Sequence, residues 1–575
     1  MIDPITLEVV RNALVAHADE MATALCRTAY NMMIFEVHDY CAGIVDLEGQ
    51  IISQNTGGLP IFLADLGAAV TGAIDIYGAD GFAPGDVLVS NDPEICGQHL
   101  NNVVVFTPFF HEGELLAFCA VRAHWVDVGG GSSGFGSTNS KQIHDEGLQI
   151  PAMKIYRAGE LDQDFLRFLT MNIRYPESSL GDLRAQMAAC RLGEQRLGEL
   201  FSRYGRDTVL GAIGEIWNQA DLLAREEIRK IPNGTYTAES YLDSDYVDRD
   251  KRIPIKIKVV VEDEQITIDF SEISDQVAGP INSGVSGGIA AARVAYKCVV
   301  APQGGVTHGE FRPLKVILPP GKLLSAKRPA PLGGWSLSLP TVIDTILLAL
   351  APAIPDLIPA GHKGDMSGFA LMGRDSRRNA PFISLNIFGG GWGGRPDGDG
   401  DSACVSICQG NVQTAPVEVQ EAYYPLIIES CGLRQNSGGS GERRGGLGVE
   451  IVVRSIEDEV MLNTQVQRTI MAPWGLFGGA DGAPNAAWVR RPDGTKVDVS
   501  AVTRFPIGPE DRLVLCTGGG GGYGDPMQRP LAEIAEDLRR GYIDAGQAQA
   551  DYQVERDEAG NLARAAIKQQ RAVHA

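Results

Sequence analysis

A mixed α+β fold built from several subdomains is what this chain predicts. Apolar residues recur at helical spacing through its opening stretch, short alternating apolar runs bounded by turn signals follow, and 575 residues are too many for a single core. The pattern divides into an N-terminal mixed unit over 1–230 with a hairpin and a long helical segment, and a central α+β unit over 231–430. A glycine-rich, mostly β unit follows over 431–528, and a helical tail over 529–575.

Leu7, Val10, Leu14, Met21 and Leu25 mark a helix over 4–33. A hairpin is expected at 42–46 and 50–53, turning at Asp46 to Gly49, and a helix at 60–77. Strands at 86–90, 103–110 and 115–123 lead into a glycine loop at 129–136. The segment 162–230 reads as helical, broken at Pro176 and near Gly205. From Gly234 the period changes: strands are expected at 235–237, 253–261 and 265–270, then helices at 286–301 and 340–351. Beyond Gly432 come strands at 448–453, 459–464, 486–489 and 512–515, and a helix from Leu531 to Leu538 before a polar, loosely held last dozen residues.

A net charge of −22 argues against nucleic acid and anionic membrane surfaces as partners. No run looks apolar enough to span a bilayer and no cleavable leader is seen, so a cytoplasmic protein is expected. The 10 cysteines lie mostly in apolar segments, as reduced thiols do, and Cys404 and Cys408 lack a second pair at metal-ligand spacing. The 69 glycines cluster at 129–136, 389–400, 438–448 and 518–524. Tight turns at a subunit interface are the favoured reading of these clusters, with a backbone anion nest as the other. No Walker or dinucleotide motif is present, so the chain alone is expected not to hydrolyse ATP.

The most informative feature is a pair of histidines at the open end of one hairpin, His99 and His124. With Glu112-Gly113 as a two-residue turn, Val126 falls opposite position 99 and His124 becomes its diagonal neighbour on the same face. Diagonal neighbours lie roughly 7–8 Å apart, near enough for two imidazoles to share a cation. A regular strand would turn Asn102 to the other face, so it joins only if His99 to Asn102 forms a turn, which the Asn101-Asn102 pair favours. Three carboxylates are candidate catalytic groups. Asp127, just before Gly129-Gly130, is a base or an imidazole-orienting partner or, equally, a loop cap; Asp92 either approaches the metal or belongs to an ordinary Asn-Asp-Pro turn; and Glu146 is a base or a helix-start charge. His308, His362 and His111 carry no constellation and read as ordinary polar residues, His144 has no partner and reads as structural, and His38 is expected to face away from Asp39.

The chain resembles the hydantoinase B/oxoprolinase family over nearly its whole length. The resemblance rests on Asp3-Pro4-Ile5-Thr6, His38-Asp39-Tyr40, Ser90-Asn91-Asp92-Pro93, Gly97-Gln98-His99-Leu100, and Arg122-Ala123-His124 with Asp127-Val128-Gly129-Gly130. It continues through Glu146 to Pro151, Ile268-Asp269-Phe270-Ser271, Asn436 to Gly439, Arg444 to Gly448, and Gly519 to Pro526. The family includes B-type subunits of ATP-dependent hydantoinases and lactamases and the metal-bearing subunit of acetone carboxylase. The resemblance implies that Asp39, His99 and His124 hold a divalent metal, zinc or manganese with iron as the alternative, together with residue 102. The chain departs from the family at Asn102, where an aspartate is usual, and at Trp125, where a second histidine is common. An amide oxygen coordinates without adding charge.

The resemblance further implies a hetero-oligomer with an A-type subunit that binds ATP, as A2B2 or with a small third subunit. The leading expectation is the metal-bearing subunit of an ATP-dependent amidohydrolase that opens a hydantoin, oxoproline-like or lactam ring. The corresponding subunit of a ketone carboxylase, and a non-catalytic scaffold subunit, stay open beside it.

Overall fold

The computed structural model describes residues 2–62, 64–132, 137–556 and 562–564. Helix α1 (Pro4–Thr28) starts where Asp3 accepts the Thr6 N–H at 2.9 Å and proline takes the first turn, where no amide hydrogen is needed. It stops short of the expected residue 33, because Asp182 Oδ1 accepts the N–H groups of Tyr30 and Asn31 at 2.8 and 3.1 Å and pulls the chain out of the helix.

Seven antiparallel strands form the sheet that carries the histidines: β1 (Tyr40–Val45), β2 (Ile51–Gln54), β3 (Val87–Ser90), β4 (Asn102–His111), β5 (Glu114–His124), β6 (Met153–Arg157) and β7 (Glu160–Leu161), in the order β2-β1-β5-β4-β3-β6-β7. Between β3 and β4 lies the single-turn helix α2 (Pro93–Cys96). One face of the sheet, with Val103, Val105, Cys119, Val121 and Ala123, packs on α1, α3 (Pro176–Tyr204) and α4 (Arg206–Ile228). The breaks at Pro176 and Gly205 fall where the sequence puts them. The other face, with Val104, Phe106, Phe118 and Ala120, shares a core with α5 (Val285–Val300) and α6 (Trp335–Leu350). That core includes residues on both sides of position 230. Helix α6 begins earlier than expected and holds Pro340 within it.

The central sheet comprises β8 (Gly234–Leu242), β9 (Ile253–Glu262), β10 (Gln265–Asp269) and the parallel β11 (Leu314–Ile317). Two further sheets, of four and five strands, fill the C-terminal half. They include a hairpin, Gly368–Asp375 with Ala380–Ile387, in a region where no strand is expected from the sequence. Pro60–Tyr77 is the one stretch among the described residues long and apolar enough to cross a membrane, with mean hydropathy 1.3, which corrects the expectation of none. Here its Phe62, Leu66, Ala69, Val70 and Ala73 lie in the core. The expected loose last dozen residues, all but Arg564, lie outside the described residues, as does part of the 129–136 loop.

In the 518–524 cluster the backbone amides are taken up within the chain and do not form an anion nest. Successive amides of 519–524 donate in turn to the carbonyls of Ala483, Gly446, Gly361, Ala480, Arg443 and Leu476, so one extended segment hydrogen-bonds several neighbouring segments at once. A Cβ on Gly520 would lie 1.8 Å from the Trp392 carbonyl oxygen. Only glycine lets backbones approach this closely on all sides, and the amides a nest would need are already used.

Candidate metal centre

The register of β4 against β5 differs from the expected one. Phe109 pairs with Ala117 and Phe110 with Leu115, so Leu116 is an extra residue in β5, and below that bulge Asn102 faces His124. The single-residue slip exchanges which side chains share a face, and it brings Asn102 directly opposite His124. Tyr40 pairs with Ala123 and the His124 N–H donates to the Asp39 carbonyl at 3.2 Å, which sets Asp39 across from His124 on the other side. Asp39, His124 and Asn102 thus form a row across three adjacent strands.

His99 reaches this row from outside β4. Asp92 caps α2 by accepting the Glu94 N–H at 2.9 Å, and Gly97 then turns left-handed with φ +65°. Its carbonyl accepts the Gly284 N–H at 2.9 Å at the start of α5, and a Cβ on Gly97 would meet Ser286 Oγ at 2.6 Å. The Asn102 N–H closes the turn on the His99 carbonyl at 3.1 Å. The two imidazoles come to stand edge-to-face with centroids 5.0 Å apart, and Trp335 closes one side at 5.8 Å from His99.

Burial sets the electrostatics. It pushes His99 down to about 4 and His124 well below the usual imidazole value, the neighbouring His99 adding to the effect, so both rings are neutral near pH 7. The Asp39 carboxyl is driven up to about 7 by burial, against the pull of the Arg122 guanidinium. His99 Nδ1 lies 3.4 Å from the Gly333 carbonyl, which favours a proton there and a lone pair on Nε2. That Nε2 and Asn102 Oδ1 are buried and find no partner outside the site, the Asn102 side chain lying within reach of the His99 ring. An imidazole nitrogen and an amide oxygen so placed, beside a second neutral imidazole, fit a divalent cation. Among the described residues no three His, Cys, Asp or Glu side chains are already gathered at metal-binding separations. The residues that fit are His99, His124 and the Asn102 oxygen; Asp39 joins them by backbone register alone, across the sheet from His124.

The three candidate catalytic carboxylates are engaged elsewhere. Asp127, fully buried, accepts Arg174 Nη1 at 2.6 Å and the Arg174 N–H at 2.5 Å, tying the glycine loop to the start of α3. Asp92 is occupied by its cap and by Arg328 Nη2 at 2.9 Å. Glu146 accepts the N–H groups of Leu332 and Gly333 at 2.9 and 2.8 Å, and burial pushes its carboxyl up to about 8 against those two amides. Glu146 thus holds the amide of Gly333, the residue whose carbonyl faces His99.

Other residues around the site have roles that sequence reasoning misses. Asn31 Nδ2 holds the His124 carbonyl at 2.8 Å. Gln98 and Arg122 lie beneath Asn102, both buried. Arg122 stands two residues from His124 on one strand, so alternation alone could have flagged it. Trp125, by contrast, turns to the opposite core, where its Nε1 donates to Gln186 Oε1 at 2.8 Å. His362, read as ordinary, is buried with Nδ1 2.5 Å from Asp344 Oδ1, while Nε2 accepts the Ile407 N–H at 3.2 Å; both nitrogens are in use.

A model of the hydantoinase B/oxoprolinase family matches residues 3–526. The chain belongs to that family. It is 31% identical to the putative D-/L-hydantoinase B-type chain of Pseudomonas sp. (strain NS671), covering 96% of this chain and 95% of that one. It is 31% identical to the beta chain of the Pseudomonas jessenii caprolactamase over the full length of both. The crystal structure of the ATP-dependent caprolactamase from that organism superposes with a TM-score of 0.92 at 30% identity, covering 98% of each chain. A nucleotide-free acetone carboxylase structure shares the fold, with a TM-score of 0.88 at 19% identity over 98% of this chain and 81% of that one.

Proposed function

We propose that this member of the hydantoinase B/oxoprolinase family is the cation-holding subunit of an ATP-dependent enzyme that opens a cyclic amide, working with an A-type subunit that binds ATP. The observation that carries the reading is the buried pair of neutral imidazoles 5.0 Å apart, with His99 Nε2 left without a partner outside the site. A divalent cation bound there supplies a Lewis acid for a carbonyl oxygen and lowers the pKa of a bound water. His99, His124 and the Asn102 oxygen would hold it, with Asp39 as the candidate carboxylate, and the Gly333 carbonyl favours the His99 tautomer that offers Nε2. Trp335 closes one side of the site, and the burial of both imidazoles strengthens every charge interaction inside it. The ATP dependence and subunit composition of the caprolactamase and hydantoinase relatives support the partner and the ring-opening chemistry.

The test is elemental analysis of the chain purified with its partner, beside His99→Ala and His124→Ala. One ion per chain, lost in both variants, together with ring opening that needs ATP and not bicarbonate, is expected. Full turnover in both variants would refute the reading; turnover that requires bicarbonate would move the chemistry to carboxylation at the same site.

A further inference from the structure

Arginine has hydrogen-bond donors and no acceptor, and this fixes the direction of a buried relay beneath the imidazoles. Arg122 Nη1 donates to Gln98 Oε1 at 2.6 Å, so Gln98 must present its oxygen there. The same oxygen accepts Asn102 Nδ2 at 2.7 Å. Asn102 therefore spends its NH2 group on Gln98 and turns Oδ1 the other way, toward His99, where it meets no partner outside the site. Reversing either amide would set an NH2 group against a guanidinium or one carbonyl oxygen against another, so the orientation follows from chemistry. The parts of the relay are rigidly placed. Arg122 is fully buried, with its guanidinium 5.2 Å from the Phe62 ring centroid and Nη1 3.3 Å from the Asn102 carbonyl. Gln98 follows Gly97, whose left-handed turn is docked on the start of α5.

We propose that Gln98, oriented by Arg122, is the positioning residue that makes position 102 an oxygen donor toward His99 and His124. The amide at 102 is then a working ligand, and the absence of a carboxylate there does not mark a decayed site. This rests on the reading of the site as a cation centre. Partners behind the ligands of other metal sites set affinity by roughly 10–100-fold.

The full-length chain is titrated calorimetrically with Zn²⁺ alone, as wild type, Gln98→Met, Gln98→Glu, Asn102→Ala and the Gln98→Met/Asn102→Ala double variant. Gln98→Met is expected to weaken binding about tenfold, Asn102→Ala similarly, and the double variant no further, because both act on one oxygen. Gln98→Glu keeps oxygens for both donors and should stay near wild type. Neutron diffraction from deuterated, metal-free crystals gives a readout that needs neither metal nor variant, with the Asn102 amide deuterons expected on Gln98. Deuterons aimed at the imidazoles, wild-type affinity in Gln98→Met, or additive losses in the double variant would overturn the relay while leaving the cation centre standing. A wild-type chain that takes up no Zn²⁺ would overturn the cation centre and, with it, the donor role of position 102.

Discussion

Replacing Asp127 by alanine separates a clamp from a catalytic base. The carboxylate is fully buried and makes two charge-assisted hydrogen bonds, to Arg174 Nη1 at 2.6 Å and to the Arg174 backbone at 2.5 Å. Each such bond contributes about 1.5–3 kcal/mol. Because the Arg174 side chain keeps 41% of its exposure, water recovers part of the guanidinium's share, leaving a net loss of about 2 kcal/mol for alanine. Asparagine keeps one acceptor oxygen and should lose about half as much. The assay pairs urea denaturation of the chain with turnover per folded molecule in the complex. Expected is a lowered denaturation midpoint with kcat preserved within a small factor, since the carboxylate is aimed at Arg174 and away from the imidazoles. A large fall in kcat with an unchanged midpoint would refute the clamp and restore Asp127 as a catalytic group.

Cation affinity should rise with pH and level off above about 7: the Asp39 carboxyl, raised to about 7, must lose a proton to bind, while His99 at about 4 competes only in acid. Calorimetric titration across pH checks this, and a profile that survives unchanged in Asp39→Asn would contradict it. In the metal-free chain the depressed His99 binds fewer protons folded than unfolded between about 4 and 6.5, so its contribution to stability is lost as pH falls through that window. The raised Asp39 acts oppositely, its contribution fading as pH rises from 3.8 to about 7, and denaturation midpoints of His99→Ala and Asp39→Asn against pH should show the two slopes with opposite sign. Gly333→Ala places a Cβ 2.8 Å from Glu146 Oε1, displacing the carbonyl that faces His99, and should weaken cation binding about tenfold; unchanged affinity would detach Glu146 from the site. Gly520→Ala, with its Cβ 1.8 Å from a carbonyl oxygen, should destabilise the chain by more than about 4 kcal/mol; a soluble variant with a wild-type melting midpoint would show that the glycine bundle yields easily.

Local chemistry alone accounts for much of this molecule. The helix start at Asp3-Pro4, the breaks at Pro176 and Gly205 and the strands around the two histidines are written in caps, proline geometry and side-chain alternation. These signals act over a few residues and survive without tertiary context. The hairpin at 368–387 carries no such signal, because its strands meet further strands of the sheet and the alternating pattern blurs.

Alternation and turn signals in the sequence were enough to bring the two imidazoles to one end of a hairpin, while Asp39 and Asn102 were marked only by the family resemblance. Tertiary structure decided how they face one another. An extra residue at Leu116 moved the pairing by one and set Asn102 opposite His124, and the docking of Gly97 on α5 placed His99 above that row. Packing also drew Asp127, Asp92 and Glu146 into structural pairs with Arg174, Arg328 and the Leu332–Gly333 amides. Those partners lie 47, 236 and about 190 residues away along the chain, and a hydrogen bond made across such separations leaves no trace in the local pattern.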